Sequence, residues 1–464
     1  MRKRTPNSLH CPLSPRTKNL SLCSRMITRS FIIYTLALLL GTSITFTIFL
    51  HPRNAYFGDV EHYALGETYQ RNERSEKNNN IPAGISKEES THESTIKSTT
   101  NFIFPSRQTR LKYYMGDWFG RTLLSKDISC NEITAVGKVI SDHSILWRVS
   151  KMEQEIKTNS TRDWLIRAYL VNAFDVINSK GIGREKDGDG WLILFLGDSH
   201  SHSTKLPVVA KTRFSRFATA RSTGKPFFDT IIWPLEMHRH YFPVNEYIKL
   251  EKEGKVCEWE DKKSVLIWRG GVTGIESDKN LSTTYPDGGP RLQVVNTYFN
   301  KNISDVDVAF QRGNPSVQRA PYKYRNVRIF VRGDDTSMID QLKYKYILML
   351  EGNDVATGLK WQLTSNSVVF MARPTTVSFL MEDLLVPFVH YVPLKDDYSN
   401  LIDMVHWARR NDKKCQWISE QATLFMQQLW ISEEAKRETT AIKKELGETY
   451  HRQFGEAVKT CGRS

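Results

Sequence analysis

Tyr346-Ile-Leu-Met-Leu350, then Glu351-Gly-Asn-Asp-Val-Ala-Thr-Gly358, then Leu359-Lys-Trp-Gln-Leu363 reads as strand, small-residue loop and helix. A short unbroken apolar run closed by polar or small residues suits a strand covered on both faces, as in a parallel sheet. Three more runs share the pattern. Trp191-Leu-Ile-Leu-Phe-Leu196 stops at Gly197-Asp198, Val265-Leu-Ile-Trp268 at Arg269-Gly270-Gly271, and Val368-Val-Phe-Met371 at Ala372-Arg373-Pro374. Helical patterns occupy Leu401–Arg410 and the charged stretch from Ser432 to Lys459. Strand–helix alternation predicts an α/β fold, in which ligands bind beyond the carboxyl ends of strands.

The surrounding chain sets the limits. With 464 residues, 40% of them hydrophobic and 51 of them Trp, Tyr or Phe, it can bury a sizeable core, which excludes wholesale disorder. Six cysteines are too sparse for a disulfide-stapled miniprotein. The net charge is +14, and residues 1–30 carry +7 of it with no acidic residue. The surplus left for the body is thin, and no zinc-finger spacing accompanies it, so no nucleic-acid partner is expected.

Phe31–Leu50 is 20 residues without a charge, about 30 Å as a helix and long enough for a bilayer core. It is longer than a signal-peptide apolar region and lacks a small-residue cleavage site. With the basic residues before it, it predicts a type II membrane protein: cytosolic tail 1–30, transmembrane helix 31–50, the rest luminal. Residues 51–108, poor in aliphatics, predict a flexible stem. Two α/β domains are expected, 109–255 and 256–464. This topology puts Cys130, Cys257, Cys415 and Cys461 in an oxidising compartment, where four cysteines allow two disulfides in three connectivities and the sequence does not choose. It also exposes three glycosylation sequons, at Asn159, Asn280 and Asn302.

Three strand ends carry the chemistry. Asp198 in Gly-Asp-Ser-His is either a general base for a hydroxyl nucleophile or a helix cap. Asp198-x-His200 also opens metallophosphoesterase motifs, but the Asn-His pair those need is missing at Asn353-Asp354. A Gly-Asp-Ser hydrolase or acyltransferase would use Ser199 with Asp403 and His406, although the latter two lie inside a helical pattern. Arg269-Gly270-Gly271 permits close approach to a phosphate and equally makes an ordinary turn. The loop through Asn353, Thr357 and Gly358 would present a helix N-terminus to an anion, with Lys360 one turn in to reach a diphosphate or simply solvated. Asp187-Gly-Asp189 precedes its strand and reads as a turn, so no metal site is expected.

In this order, Ile267-Trp-Arg-Gly270, Tyr344 through Trp361, Ser365-Asn-Ser-Val-Val-Phe370 and Pro387-Phe-Val-His-Tyr-Val-Pro-Leu394 resemble glycosyltransferase family 90. That family includes protein O-glucosyltransferases, fungal capsule xylosyltransferases and bacterial lipopolysaccharide-core transferases. The resemblance implies a GT-B fold, two Rossmann-like domains with the site in the cleft between them. It implies an inverting, metal-independent enzyme with no cofactor besides the UDP-sugar donor. Asp198 matches the family's catalytic Asp, and Arg269 and Gly270 its donor-phosphate loop. Asn353, Thr357, Gly358 and Lys360 fall in its donor loop. Protein O-glucosyltransferases carry Arg where this chain has Gly358, which turns the resemblance toward the bacterial and plant-like branch.

The expected protein is therefore a Golgi or ER glycosyltransferase. It would move glucose, xylose or a similar sugar from a UDP donor to a glycan, lipid-linked or protein hydroxyl. The alternatives are the Ser199 acyl hydrolase and a non-catalytic glycan-binding module.

Overall fold

The computed structural model describes residues 102–122, 124, 144–148, 191–195, 206–216, 230–233, 242–273, 289–299, 301, 303–313, 323–324, 327–328, 331–332, 336–352 and 354–463. The expected tail, transmembrane segment and nearly all of the stem lie outside these residues. Among the described residues, no helix is long and apolar enough to cross a membrane.

Residues from Phe104 to Ser464 belong to one compact unit. It is a mixed α/β structure with two main sheets. The smaller contains β1 (Ser144–Arg148), β2 (Trp191–Phe195), β3 (Val209–Ala210) and β5 (Ile231–Ile232), in the order β1-β2-β3-β5. Only β1 runs antiparallel to its neighbour. The larger sheet has six parallel strands: β6 (Lys263–Gly270), β7 (Val306–Gln311), β10 (Val331–Arg332), β11 (Tyr344–Leu348), β12 (Val368–Met371) and β14 (Val392–Pro393). Two ribbons complete the strands, β4 (Arg213–Phe214) with β13 (Thr376–Val377), and β8 (Lys323–Tyr324) with β9 (Val327–Arg328).

The larger sheet runs β10-β7-β6-β11-β12-β14. Counted in chain order this is 3-2-1-4-5-6, the Rossmann arrangement. Its central strands read as expected: β11 buries Tyr346, Ile347 and Leu348 completely, and all four residues of β12 are buried. Helices α1 (Arg107–Met115), α2 (Phe242–Lys252), α3 (Gly289–Tyr298), α4 (Met338–Gln341), α5 (Leu359–Thr364), α6 (Leu401–Arg410), α7 (Asp412–Met426) and α8 (Glu433–Arg463) accompany the sheets. α6 is amphipathic: Leu401, Val405 and Ala408, at helical spacing, face the core of the larger sheet.

Helix α1 begins at Arg107, just inside the stretch read as stem, because Ser106 caps its first turn through Thr109 N–H. It seats Leu111, Tyr114 and Met115 in the core. Helix α8 buries Ala435, Ile442, Leu446, Tyr450, Phe454 and Ala457 along one stripe. It returns to the smaller sheet: Tyr450 Oη accepts from Ile193 N–H at 3.2 Å and donates to the Pro207 carbonyl at 3.1 Å. The C-terminal helix therefore packs on strands far earlier in sequence.

Cys257 is disulfide-bonded, whereas Cys415 on α7 is a buried free thiol, pushed up to about 12 chiefly by burial. It packs with Val405 and Ala408 in the core and is not bridged, so Cys130, Cys257, Cys415 and Cys461 do not form two pairs.

Candidate active site

Strands β6 and β11 are neighbours, and the chain leaves them toward opposite edges of the larger sheet. Divergence of this kind opens a crevice at the carboxyl ends of the two strands. Here that point is formed, among the described residues, by Gly270–Thr273 at the end of β6 and by 350–352 and 354–358 after β11.

Arg291, in the first turn of α3, stitches these two strand ends together. Its guanidinium donates to the carbonyls of Glu351 at 3.1 Å, Gly271 at 3.2 Å and Leu350 at 3.2 Å, and to the Thr273 hydroxyl. The Trp268 ring lies 5.9 Å from it. Burial pushes its pKa down to about 10, opposed by the negative charges of Asp354 and Glu351, so it stays cationic at neutral pH. Gly352 makes this approach possible: a Cβ there would lie 2.9 Å from an Arg291 nitrogen and 3.0 Å from the Thr273 hydroxyl. Sequence reasoning missed Arg291. Its signal was Gly288-Gly289-Pro290-Arg291 opening a helix, with Gly289 at φ 84°.

Arg269 is spoken for. It donates to Thr336 Oγ1 at 3.1 Å, to the Trp268 and Asp307 carbonyls at 2.9 and 2.8 Å, and forms an ion pair with Asp307 at 2.9 Å. With its side chain 3% exposed, it braces β6 against β7. Gly270 lies under the Trp268 ring, where a Cβ would come within 2.6 Å of it.

In the loop after β11, Gly352, Thr357 and Gly358 are half-buried, and the other described residues of the loop are buried. A Cβ on Gly358 would meet Gln362 and Trp361 at 3.2 and 3.3 Å, so a side chain here requires both to shift slightly. Glu351 accepts from Thr375 N–H at 2.8 Å, Thr376 N–H at 3.1 Å and the Thr375 hydroxyl, which pins the start of the loop to β13. Asp354 pairs with Lys211 at 2.5 Å.

Lys360 corrects the simple picture of a helix start aimed at an anion. Helix α5 has six residues, all of them buried. The Lys360 side chain is 2% exposed, its Nζ lies 3.9 Å from Glu382 Oε1, and it makes no hydrogen bond among the described residues. Burial lowers its pKa, while Glu382 and Asp354 oppose that fall. Glu382 accepts from Ser378 N–H and its hydroxyl, both at 2.6 Å, and burial raises its own pKa. Lys360 therefore sits behind the loop and not on its surface.

Asp198, Ser199, Asn353, Asn159, Asn280, Asn302 and Asp187-Gly-Asp189 lie outside the described residues. The hydrolase partners Asp403 and His406 are both exposed on α6. His406 Nε2 pairs with Asp305 at 2.7 Å, and the neighbouring Arg409 holds the Ser264 carbonyl at the amino end of β6. That is the end of the sheet opposite the crevice.

With the geometry in view, the chain can be compared with known proteins. Residues 236–434 match the sequence model of glycosyl transferase family 90. O-glucosyltransferase LpsA of Dichelobacter nodosus is 29% identical over 224 residues, which cover 48% of this chain and 58% of that protein. Protein O-glucosyltransferase 1 of Homo sapiens is 26% identical over 168 residues, 36% of this chain and 38% of that protein. Uncharacterized protein 179R of Invertebrate iridescent virus 6 is 30% identical over 187 residues, 36% of this chain and 15% of that protein. The match thus spans less than two thirds of each relative. It takes in β6, α3, β11, the loop after β11, and every strand of the larger sheet. Residues 236–434, somewhat less than half of the chain, are thus similar to glycosyl transferase family 90.

Proposed function

We propose that this protein is a glycosyltransferase that moves a sugar from a nucleotide-sugar donor, UDP-linked, to a hydroxyl of a glycan, lipid-linked or protein acceptor. The observation that carries the reading is the cationic Arg291 behind two converging loops at the β6/β11 divergence, inside the family 90 segment. Fixed positive charge with backbone N–H groups at strand ends suits a diphosphate leaving group.

In this reading the transfer is inverting. Asp198, three residues beyond the end of β2, takes the proton of the acceptor hydroxyl as it attacks the anomeric carbon opposite the diphosphate. Arg291 and Lys360 supply positive potential at the leaving group from behind the loop. Thr357 and Gly358 form its donor-facing surface, in the loop whose sequence also carries Asn353, with Gly358 leaving room where a larger side chain would crowd it. Arg269 and Gly270 shape the end of β6. With protein cations in these positions the reaction proceeds without a divalent metal. The basic tail and apolar segment at Phe31–Leu50 would hold the enzyme in the Golgi or ER membrane with this domain in the lumen.

The test is a donor screen. The full chain in detergent is incubated with UDP-, GDP- and CMP-sugars, with and without EDTA, and scored for nucleotide release and thermal shift. Release of UDP from one donor, insensitive to EDTA and abolished in Asp198→Asn, is expected. If no nucleotide-sugar shifts the melting temperature or turns over, the reading fails. Binding without turnover in both proteins would instead favour a glycan-binding module.

A further inference from the structure

Lys211 directly follows β3 of the smaller sheet, and Asp354 lies in the loop after β11 of the larger one. Their ion pair, 2.5 Å between Nζ and Oδ2, joins side chains that are 4% and 9% exposed. The loop after β11 is thus tied down twice to structure outside its own sheet. Glu351 is held by Thr375 and Thr376, and Thr376 pairs with Phe214 of β4, three residues after Lys211. Ser215 N–H also donates to the Thr375 carbonyl at 2.9 Å. Segment 211–216 therefore leaves the smaller sheet and runs directly against both anchors of the loop.

We propose that the Lys211–Asp354 pair is a positioning clasp that sets the loop after β11 in register with the smaller sheet during sugar transfer. The inference rests on the glycosyltransferase reading given above. Burying two charges costs desolvation that their attraction need not repay, and an apolar pair of similar volume is often as stable. What such a pair does better than an apolar one is favour a single register, because a slip costs two buried charges their mutual attraction. A two-substrate reaction needs that register. The donor would bind the loop after β11, while the proposed base Asp198 follows β2, hydrogen-bonded to β3 through Leu194 and Val209. A shift of about 1 Å between reacting groups is enough to lower the rate on the order of 100-fold without abolishing binding. Neither Lys211 nor Asp354 is assigned any contact with donor or acceptor here.

The clasp is tested in the full chain with the donor found in the screen. The double variant Lys211→Met/Asp354→Leu removes both charges of the pair together, and Lys211→Arg keeps it. The double variant is expected to bind UDP within threefold of wild type and to keep the donor KM, while kcat for transfer falls at least tenfold. Lys211→Arg is expected to retain kcat within threefold. A double variant with unchanged kcat overturns the clasp, as does one that loses UDP affinity and thermal stability in step, which is the mark of a purely structural pair. If the double variant does not fold, Asp354→Asn decides: a lowered kcat at unchanged UDP affinity supports the clasp, and an unchanged kcat overturns it. A wild-type protein inactive with every nucleotide-sugar overturns the glycosyltransferase reading and the clasp together. An active wild type with unaffected variants overturns the clasp alone.

Discussion

At the scale of single residues, the site depends on a glycine making room for a cation. Arg291 satisfies its guanidinium with three main-chain carbonyls from two different strand ends, and Gly352 has no side chain to block it. Gly352→Ala places a methyl 2.9 Å from an Arg291 nitrogen that is held from several sides and cannot swing freely away. Overpacking of this kind costs about 1–3 kcal/mol. The expected outcome is a lower urea midpoint together with weaker UDP binding. A variant as stable as wild type would show that Arg291 moves aside without cost. Lys360 teaches the complementary lesson. In the sequence it is a basic residue soon after a glycine, which points to a surface phosphate contact, yet its side chain turns inward to Glu382. Six residues make less than two turns, and every residue of α5 is covered by the surrounding structure, so no solvated face remains for it.

At the scale of elements, the central strands and the longer helices carry their own signature. The apolar run Val368–Met371 is β12, and Leu401–Arg410 is α6. β6 extends past the run that announces it, from Lys263 to Gly270, because pairing with β7 and β11 continues it on both edges. Helix α8 is legible from its stripe, but its docking place is not, because an apolar stripe specifies burial and not a partner. Tyr450 supplies part of that partner: its hydroxyl joins Ile193 N–H to the Pro207 carbonyl in a buried position. Tyr450→Phe keeps the ring and leaves both groups unsatisfied, at a cost of about 1–3 kcal/mol. Thermal unfolding should show a lower Tm with an unchanged far-ultraviolet circular dichroism spectrum. No change in Tm would mean that water replaces the hydroxyl.

At the scale of the whole molecule, stability carries a pH signature. His390 is buried, accepts Val386 N–H at Nδ1 at 2.9 Å, and packs on Phe425 of α7 at 5.3 Å. Burial pushes its pKa from 6.5 down to about 4. Between these values the unfolded chain binds a proton that the folded one refuses, so stability rises with pH through this window and is lost as pH falls. The difference amounts to about 3 kcal/mol between pH 6.5 and 4. Urea unfolding at pH 7, 5.5 and 4.5 should show this slope, and His390→Asn, which keeps an acceptor without a titrating ring, should flatten it. An equally steep slope in the variant would assign the loss to other groups.

What the sequence determined by itself was the α/β character, the likeness to family 90 over its second half, and the strand ends from which a candidate site is read. Each of these is written locally, in short apolar runs closed by Gly, Asn or Asp, and in the period of the helices. Only the tertiary structure decided which cations stand at those strand ends and how each is held. Arg269 is turned into a brace by Asp307 and Thr336, far along the chain, and Arg291 is delivered by a helix that carries little local sign of its role. It also decided that Cys415 stays a free thiol, and that Lys211 and Asp354, 143 positions apart, meet. Burial and long-range pairing set the protonation and the reach of a side chain, and neither is encoded in the residues beside it.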